Sequence, residues 1–373
     1  MVFLVILISF VYWRSLPNPL FNEPLSLVLA DCHGDFLSAH IASDGQWRFP
    51  YSSDVPEKFR KSIIQFEDKR FFSHPGFDIL ALSRAFWQNI KERSIVSGGS
   101  TLSMQVIRLS RKGKSRTISE KIIEIILATR LELKYSKNEI LALYASNAPF
   151  GGNVVGLQAA AWRYFGTSPD RLTWAECAML AVLPNSPSLI HPGKNRQALI
   201  NKRNRLLGKL KEEKIIDQET YELSKLEPVP ETPRPFPNPV PHLLMRVHQE
   251  TRHKHKSMIH TTIDPGIQHH LNRILKKHNQ SLENNDINNV AAIVAEVESG
   301  KVLGYAGNVN FFSDNQHGNQ VDIITSPRST GSILKPFLYA AMLSEGELLP
   351  EALVADIPTR IGGYKPENYH SGY

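Results

Sequence analysis

The sequence predicts a mainly α-helical domain followed by an incomplete α/β domain. Three observations carry that expectation. Apolar residues recur at helical spacing through residues 57–226, which marks a string of amphipathic helices. A proline-rich run, EPVPETPRPFPNPVP over 227–241, then interrupts helix and sheet alike and opens a semi-rigid linker over 227–256. Beyond it the pattern turns to strand, helix and hairpin over 257–373, and stops at Tyr373 before the further strands that an α/β domain needs.

Taken in order, the chain opens on MVFLVILISFVYW, an uncharged apolar run broken only by Ser9. It is shorter than the roughly 20 residues that span a bilayer, and no positive residue precedes it. Residues 1–16 are expected to be a membrane anchor whose start is missing, closed by Arg14, Pro17 and Pro19; the alternative is a buried N-terminal strand or helix. Residues 20–55 read as short extended pieces, LSLVLAD and the stretch around GQWRFP. Helices follow near 57–70, 78–92, 100–110, 117–134, 137–147, 155–165, 173–183 and 196–226. Ser136-x-x-Glu139 and Thr173-x-x-Glu176 form capping boxes, in which hydroxyl and carboxylate satisfy first-turn amides reciprocally. After the linker, MIHTTID reads as a strand, PGIQHHLNRILKKHN as a helix, AAIVAEVE-SG-KVLGYAG as a hairpin and SILKPFLYAAML as a helix.

At 373 residues there is room for two cores. The 42% apolar and 21% charged fractions are those of a folded globular chain. A net charge of +7 favours polyanions, anionic membranes or phosphate-bearing substrates without choosing among them. The basic runs at 108–116 and 202–214 lack interleaved aromatics, so nucleic acid is not the expected partner; the first run suits anionic headgroups or a lipid-borne pyrophosphate. Two cysteines, Cys32 and Cys177, make neither a disulfide framework nor a four-ligand zinc site.

The densest chemical signal is Phe66-Glu67-Asp68-Lys69-Arg70-Phe71-Phe72-Ser73-His74-Pro75-Gly76. An acidic pair ending a helix, followed by aromatics and a tight turn, places one carboxylate in a partly dry cleft, where it can act as a general base. Alone, Glu-Asp-Lys-Arg reads equally as a solvated helix end. Next comes SGGSTLSMQ over 97–105, with Arg108 one turn further. Glycines and hydroxyls opening a helix leave its first amides to face an anion. Gly113-Lys114-Ser115 is no phosphate loop, because that motif needs glycine where Arg108 stands. Lys121 and Glu124 share a helix face, Glu132 lies two turns on, and Ile122, Ile125, Ile126 and Leu133 are expected to supply the apolar side.

The ordered set EDKRFFSHPG, GGSTLSMQ, EKIIE, KNEILALYASNAPFG and LAVLPNSP resembles the family 51 glycosyltransferases, the polymerase domains of class A penicillin-binding proteins, and GGSTLSMQ with NAPFGG resembles their 1C-type subgroup. The resemblance implies a lysozyme-like glycosyltransferase domain over 20–226 that polymerises lipid II into glycan strands. Glu67 matches the base that deprotonates the acceptor 4-hydroxyl, and Glu124 the second glutamate on the leaving-group side. Lys121 and Arg108 match basic phosphate contacts; Asp68, Phe71, His74, Gly99, Thr101, Gln105 and Lys137 match residues lining the substrate cleft. Lipid II, the growing strand, the cytoplasmic membrane and other cell-wall synthases are the implied partners, with catalysis on the periplasmic or extracellular side. No His/Asp/Cys cluster specifies a metal, so a divalent cation, Mg2+ or Mn2+, is the one cofactor left open. Two departures stand out: Glu120 replaces a family arginine before Lys121, and Tyr144-Ala145-Ser146 replaces Tyr-Leu-Asn.

Ser332-Ile333-Leu334-Lys335 would place an amine one helical turn from a hydroxyl. Its surroundings, RSTGSILKPFLYA, resemble the nucleophile of a penicillin-binding transpeptidase. No Lys-Thr-Gly exists in the chain, and Ser313-Asp314-Asn315 precedes the serine instead of following it. The expectation is a truncated transpeptidase module that does not acylate. A non-catalytic, membrane-tethered module that binds lipid II or scaffolds other synthases is the alternative, and glycan hydrolysis is a weaker one.

Overall fold

The computed structural model describes residues 2–92, 99–112, 117–185, 195–251, 256–313, 317–354, 357–358 and 360–365. Two compact units result, residues 1–324 and 325–373.

In the first unit the opening apolar run is a single helix, α1 (Val2–Arg14). Its side chains stand mostly in the open, Phe3 at 79% and Trp13 at 61% exposure, so it is not a buried element of the core. Among the described residues no helix is long and apolar enough to cross a membrane. Next come β1 (Leu27–Ala30), β2 (Phe36–His40) and β3 (Trp47–Arg48), then α2 (Glu57–Glu67). The helical body continues with α3 (Ile79–Lys91), α4 (Leu102–Ser110), α5 (Ile118–Lys134), α6 (Lys137–Asn147), β4 (Val154–Val155), α7 (Leu157–Phe165) and α8 (Trp174–Val182). Both capping boxes form, Ser136 with Glu139 and Thr173 with Glu176.

The region expected as one helix over 196–226 is two, α9 (Arg196–Glu212) and α10 (Gln218–Leu226). Lys214 turns left-handed at φ +56, and Asp217 Oδ1 caps α10 by accepting from Thr220 N at 2.7 Å. A residue in that conformation cannot continue a right-handed helix.

One core joins these helices. Phe59 and Ile63 of α2 pack with Met104 and Ile107 of α4, Leu127 and Leu131 of α5, Tyr144 of α6 and the alanine-rich α8. On α5 the buried stripe is Glu124, Leu127, Ala128 and Leu131. The apolar side expected from Ile122, Ile126 and Leu133 is the opposite face: these stand 53%, 47% and 64% exposed, and only Ile125 of the expected set packs on the core. Both stripes have helical period, so periodicity alone could not choose between them.

The proline-rich segment is a packed strap. The Phe236 ring packs tilted against Trp47 at 4.4 Å and Phe49 at 5.5 Å between centroids, Arg234 N donates to Arg163 O at 2.7 Å, and Val229 is buried. It leads through α11 (Pro241–Thr251) to β5 (Met258–His260), which pairs in parallel with β1 while β2 pairs antiparallel on β1's other side. Hence the boundary at 227 is no break in packing: Leu27, Leu29 and Leu37 share a core with Val240, Leu244, Ile263 and Tyr305. α12 (Pro265–Leu282) and the hairpin β6 (Ala292–Ala295) and β7 (Val302–Ala306) follow, with Gly300 at φ +70 in the expected turn.

The second unit holds α13 (Lys335–Ser344), whose residues are largely solvent-exposed. Ser332 precedes that helix in a turn closed by Lys335 N donating to Ser332 O at 3.1 Å. The serine therefore lies in the turn that leads into α13 and not within the helix itself, Pro336 favouring a helix that begins just before it. The Asp314-Asn315 pair and Gly113-Lys114-Ser115 lie outside the described residues.

Candidate active site

Glu67 closes α2 on the same stripe as Phe59 and Ile63, at successive spacings of four residues. That register carries its carboxylate to the edge of the core. Gln105 on α4 donates from Nε2 to Glu67 Oε2 at 2.8 Å. The other oxygen, Oε1, is shielded from solvent and has no hydrogen-bond partner among the described residues. Burial raises the Glu67 pKa above the ordinary carboxylate value; the Gln105 and Asn185 amides and the Arg108 charge pull against that rise. The hydroxyl of fully buried Tyr144 is likewise unpartnered, and burial, then the charge on Glu67, pushes its pKa well above the ordinary phenol value.

Arg108 stands one turn beyond Gln105, close enough for its charge to act on Glu67. Its Nε and Nη2 donate to Glu124 Oε1 and Oε2 at 2.8 and 2.7 Å, a bidentate pair, and Nη2 also reaches Ser100 Oγ at 3.1 Å. That pair raises the pKa of Arg108 further, with a smaller contribution from Glu67. The cleft thus holds glutamate, arginine and glutamate in sequence, on α2, α4 and α5.

The neighbouring residues hold this constellation in place. Asp68 carboxylate oxygens lie 3.0 and 3.1 Å from His74 Nε2, and Asp68 Oδ2 accepts from Leu102 N at 3.0 Å. Thr101 caps α4 by accepting from Met104 N at 3.2 Å and donates to Gly76 O at 2.6 Å. Two of the first amides of α4, expected to face an external anion, are therefore taken by the chain itself, Leu102 N by Asp68 and Met104 N by Thr101. A Cβ at Gly99 would fall 2.9 Å from Leu82 Cα, so α3 and this turn can meet only at glycine. Lys137 is not a free cation: Nζ donates to His74 O at 2.6 Å and Glu132 Oε1 at 2.8 Å, and lies 4.6 Å from the centre of the buried Phe71 ring. Glu132 also accepts from Ser103.

Lys121 is exposed, on the solvent side of the turn that leads to buried Glu124. Glu120, the departure noted beside it, accepts from Arg111 Nε at 2.6 Å. The residues around Glu124 do not fit a divalent cation, since both carboxylate oxygens bond Arg108. Among the described residues, the group whose ligand atoms approach within 4.8 Å of one another is Cys32, His33 and Asp264, beside β1 and α12. Both cysteines are free. Tyr144 and Asn185 are the cleft residues sequence reasoning did not single out. Tyr144 entered the sequence reading only as the first residue of Tyr144-Ala145-Ser146, and Asn185 only within the LAVLPNSP motif, neither with a role of its own.

A family model described as Transglycosylase matches residues 36–211. Penicillin-binding protein 1C of Escherichia coli is 36% identical over 358 residues, 96% of this chain and 46% of that protein. Penicillin-binding protein 1F of Bacillus subtilis is 26% identical over 364 residues, covering 92% of this chain and 49% of its own. A Staphylococcus aureus protein named monofunctional glycosyltransferase is 33% identical over 181 residues, 47% of this chain and 67% of its own length. The chain spans about half the length of the penicillin-binding proteins it matches.

Proposed function

The chain belongs to the transglycosylase family carried by class A penicillin-binding proteins, and from that premise we propose that it polymerises lipid II into peptidoglycan glycan strands. The observation that carries this reading is the unpartnered Glu67 Oε1. A shielded carboxylate oxygen without a donor is costly, and such groups persist where chemistry uses them. Gln105 fixes one oxygen; the other is left to take a proton.

In the proposed step Glu67 Oε1 accepts the proton of the acceptor 4-hydroxyl. The resulting oxygen attacks C1 of the donor sugar from the face opposite the leaving group, the C1–O bond to polyprenyl pyrophosphate breaks, and the anomeric configuration inverts. Arg108, held by both Glu124 oxygens, keeps one positive charge fixed in the cleft as negative charge gathers on the pyrophosphate. Lys121 supplies a second cation from the solvent side. No step needs a metal ion.

Attachment to the outer face of the cytoplasmic membrane through α1 is part of this proposal. The exposed stripe of Ile118, Ile122, Ile126 and Leu133 on α5 supports it, being apolar surface that water does not favour. Residues from 257 onward are proposed to be part of a transpeptidase module whose nucleophile motif is Ser332-x-x-Lys335; no acylation by this chain is proposed. One observation favours the second reading, a lipid II-binding module without turnover: Glu120 neutralises Arg111 beside the phosphate side of the cleft. Fluorescent lipid II incubated with the chain separates the two. A ladder of glycan polymer on a gel is expected; bound lipid II that stays monomeric through long incubation would establish the binding module instead.

A further inference from the structure

On the far side of α5 from its N-terminal turn lies a pocket that the proposed reaction does not use. It occupies about 540 Å3 between the C-terminal ends of α1 and α5, lined by Trp13, Arg14, Leu16, Asn18, Arg130 and Lys134, with Pro17 at its edge. Every charged side chain in that lining is basic. Arg130 is buried, at 7% exposure, yet its Nη1 has no hydrogen-bond partner among the described residues. Its Nε donates to Trp13 O at 3.2 Å, and its guanidinium stacks on the Trp13 ring with Cζ 4.1 Å from the centroid. Stacking fixes the guanidinium plane and leaves its edge as a preformed donor fork for an oxyanion. Lys134, one turn along the same face, and Arg14, the last residue of α1, have no carboxylate partner among the described residues.

An unpaired buried arginine needs an acceptor, and none of the lining residues supplies a carboxylate. The surroundings say what kind of anion would come. The pocket opens beside α1, whose apolar side chains are exposed along its length and suit hydrocarbon better than water. Tyr12 of α1 and Thr129 of α5 share a hydroxyl hydrogen bond at 2.9 Å, which ties the apolar helix to the basic rim. We propose that this pocket holds the phosphate of an anionic glycerophospholipid, gripped by Arg14, Arg130 and Lys134. Arg130 lies about 9 Å along α5 from Glu124 at the usual helical rise, and the pocket shares no lining residue with the catalytic cleft. It therefore acts as a lipid anchor that sets the depth and tilt of α5 against the bilayer, independently of turnover.

Native mass spectrometry of the full chain in detergent, titrated with phosphatidylglycerol or phosphatidylcholine, tests this without any activity readout. Phosphatidylglycerol should be retained in preference. Lys134→Gln and Arg14→Gln, both at exposed positions, should each weaken that retention at least about fivefold. Lys209→Gln, on the exposed face of α9, should leave it unchanged, and Arg130→Gln should lose it if circular dichroism shows the fold intact. Equal retention of the two lipids, or an unchanged Lys134→Gln, overturns the proposal. Glycerol phosphate or inorganic phosphate binding as tightly as the lipid would show a soluble-phosphate site, and displacement by polyprenyl pyrophosphate would assign the pocket to the substrate; either result ends the lipid assignment.

Discussion

Glu67 sits where a core residue would, four positions after Ile63, and two consequences follow at the scale of the residue. Burial holds its pKa above the ordinary carboxylate value, so the folded state binds this proton more tightly than the unfolded state does. The sign follows from linkage: stability contributed by the protonated form is present below the unfolded pKa and is lost as pH rises through the folded one. At neutral pH the charged carboxylate therefore costs stability, and Glu67→Gln should raise Tm by about 2–4 °C for each ~1 kcal/mol regained, as differential scanning calorimetry would show. An unchanged or lowered Tm would contradict the strained-base picture. Activity has the opposite sign, because only the ionised base accepts a proton. The rate should fall with acid at a pH above the usual glutamate range, and Gln105→Leu, which removes the donor to Oε2, should move that acid limb to higher pH. A limb that stays in place would mean that Gln105 does not tune the base. Glu67 itself was legible from its motif. The unpartnered Tyr144 hydroxyl was not, since no spacing rule tells a plain core tyrosine from one that feels a buried carboxylate's charge.

At the scale of the element, α5 shows what a pattern can and cannot say. Its span and cap were readable, Thr117 accepting from Glu120 N at 3.2 Å. Its buried side was not, because isoleucines on one face outweigh in hydrophobicity the Glu124, Leu127, Ala128 and Leu131 stripe that packs inward. What decides is the partner: Arg108 on α4 satisfies Glu124 inside and makes a carboxylate tolerable on the core face. Removing that partner alone should hurt more than removing both. Arg108→Leu is expected to lower stability by about 3–5 kcal/mol, with Arg108→Leu/Glu124→Leu recovering part of it in urea titrations; additive losses would show that the pair is not coupled. α4 gives a second lesson. Glycines before a helix suggested free amides, yet Asp68 takes that of Leu102 and Thr101 that of Met104, and Gly99 is required by contact with α3 instead. Gly99→Ala should cost about 1–3 kcal/mol by the same titration, and a neutral result would show that Leu82 can move aside.

At the scale of the whole molecule, the order of helices, linker and hairpin was legible because each has its own period or breaker. The division between them was not, since proline content announces an extended segment but not what it lies against. Phe236 and the β1–β5 pairing turn that segment into a strap across the helical body's small sheet. A chain ended at residue 251 should therefore lose β5 from β1, bare Leu27 and Leu29, and melt at a lower temperature than the parent. An equal Tm would show that β5 and the residues after it contribute nothing to the stability of the first unit. All of this scaffolding serves one claim, that a carboxylate at the end of α2 takes a proton from sugar beside a fixed arginine. The most direct measurement is the initial rate of lipid II polymerisation by Glu67→Gln against the parent, with lipid II affinity measured in parallel. The account predicts a fall of about 10²–10⁴-fold in rate with affinity retained; glycan made at the parent's rate would contradict it.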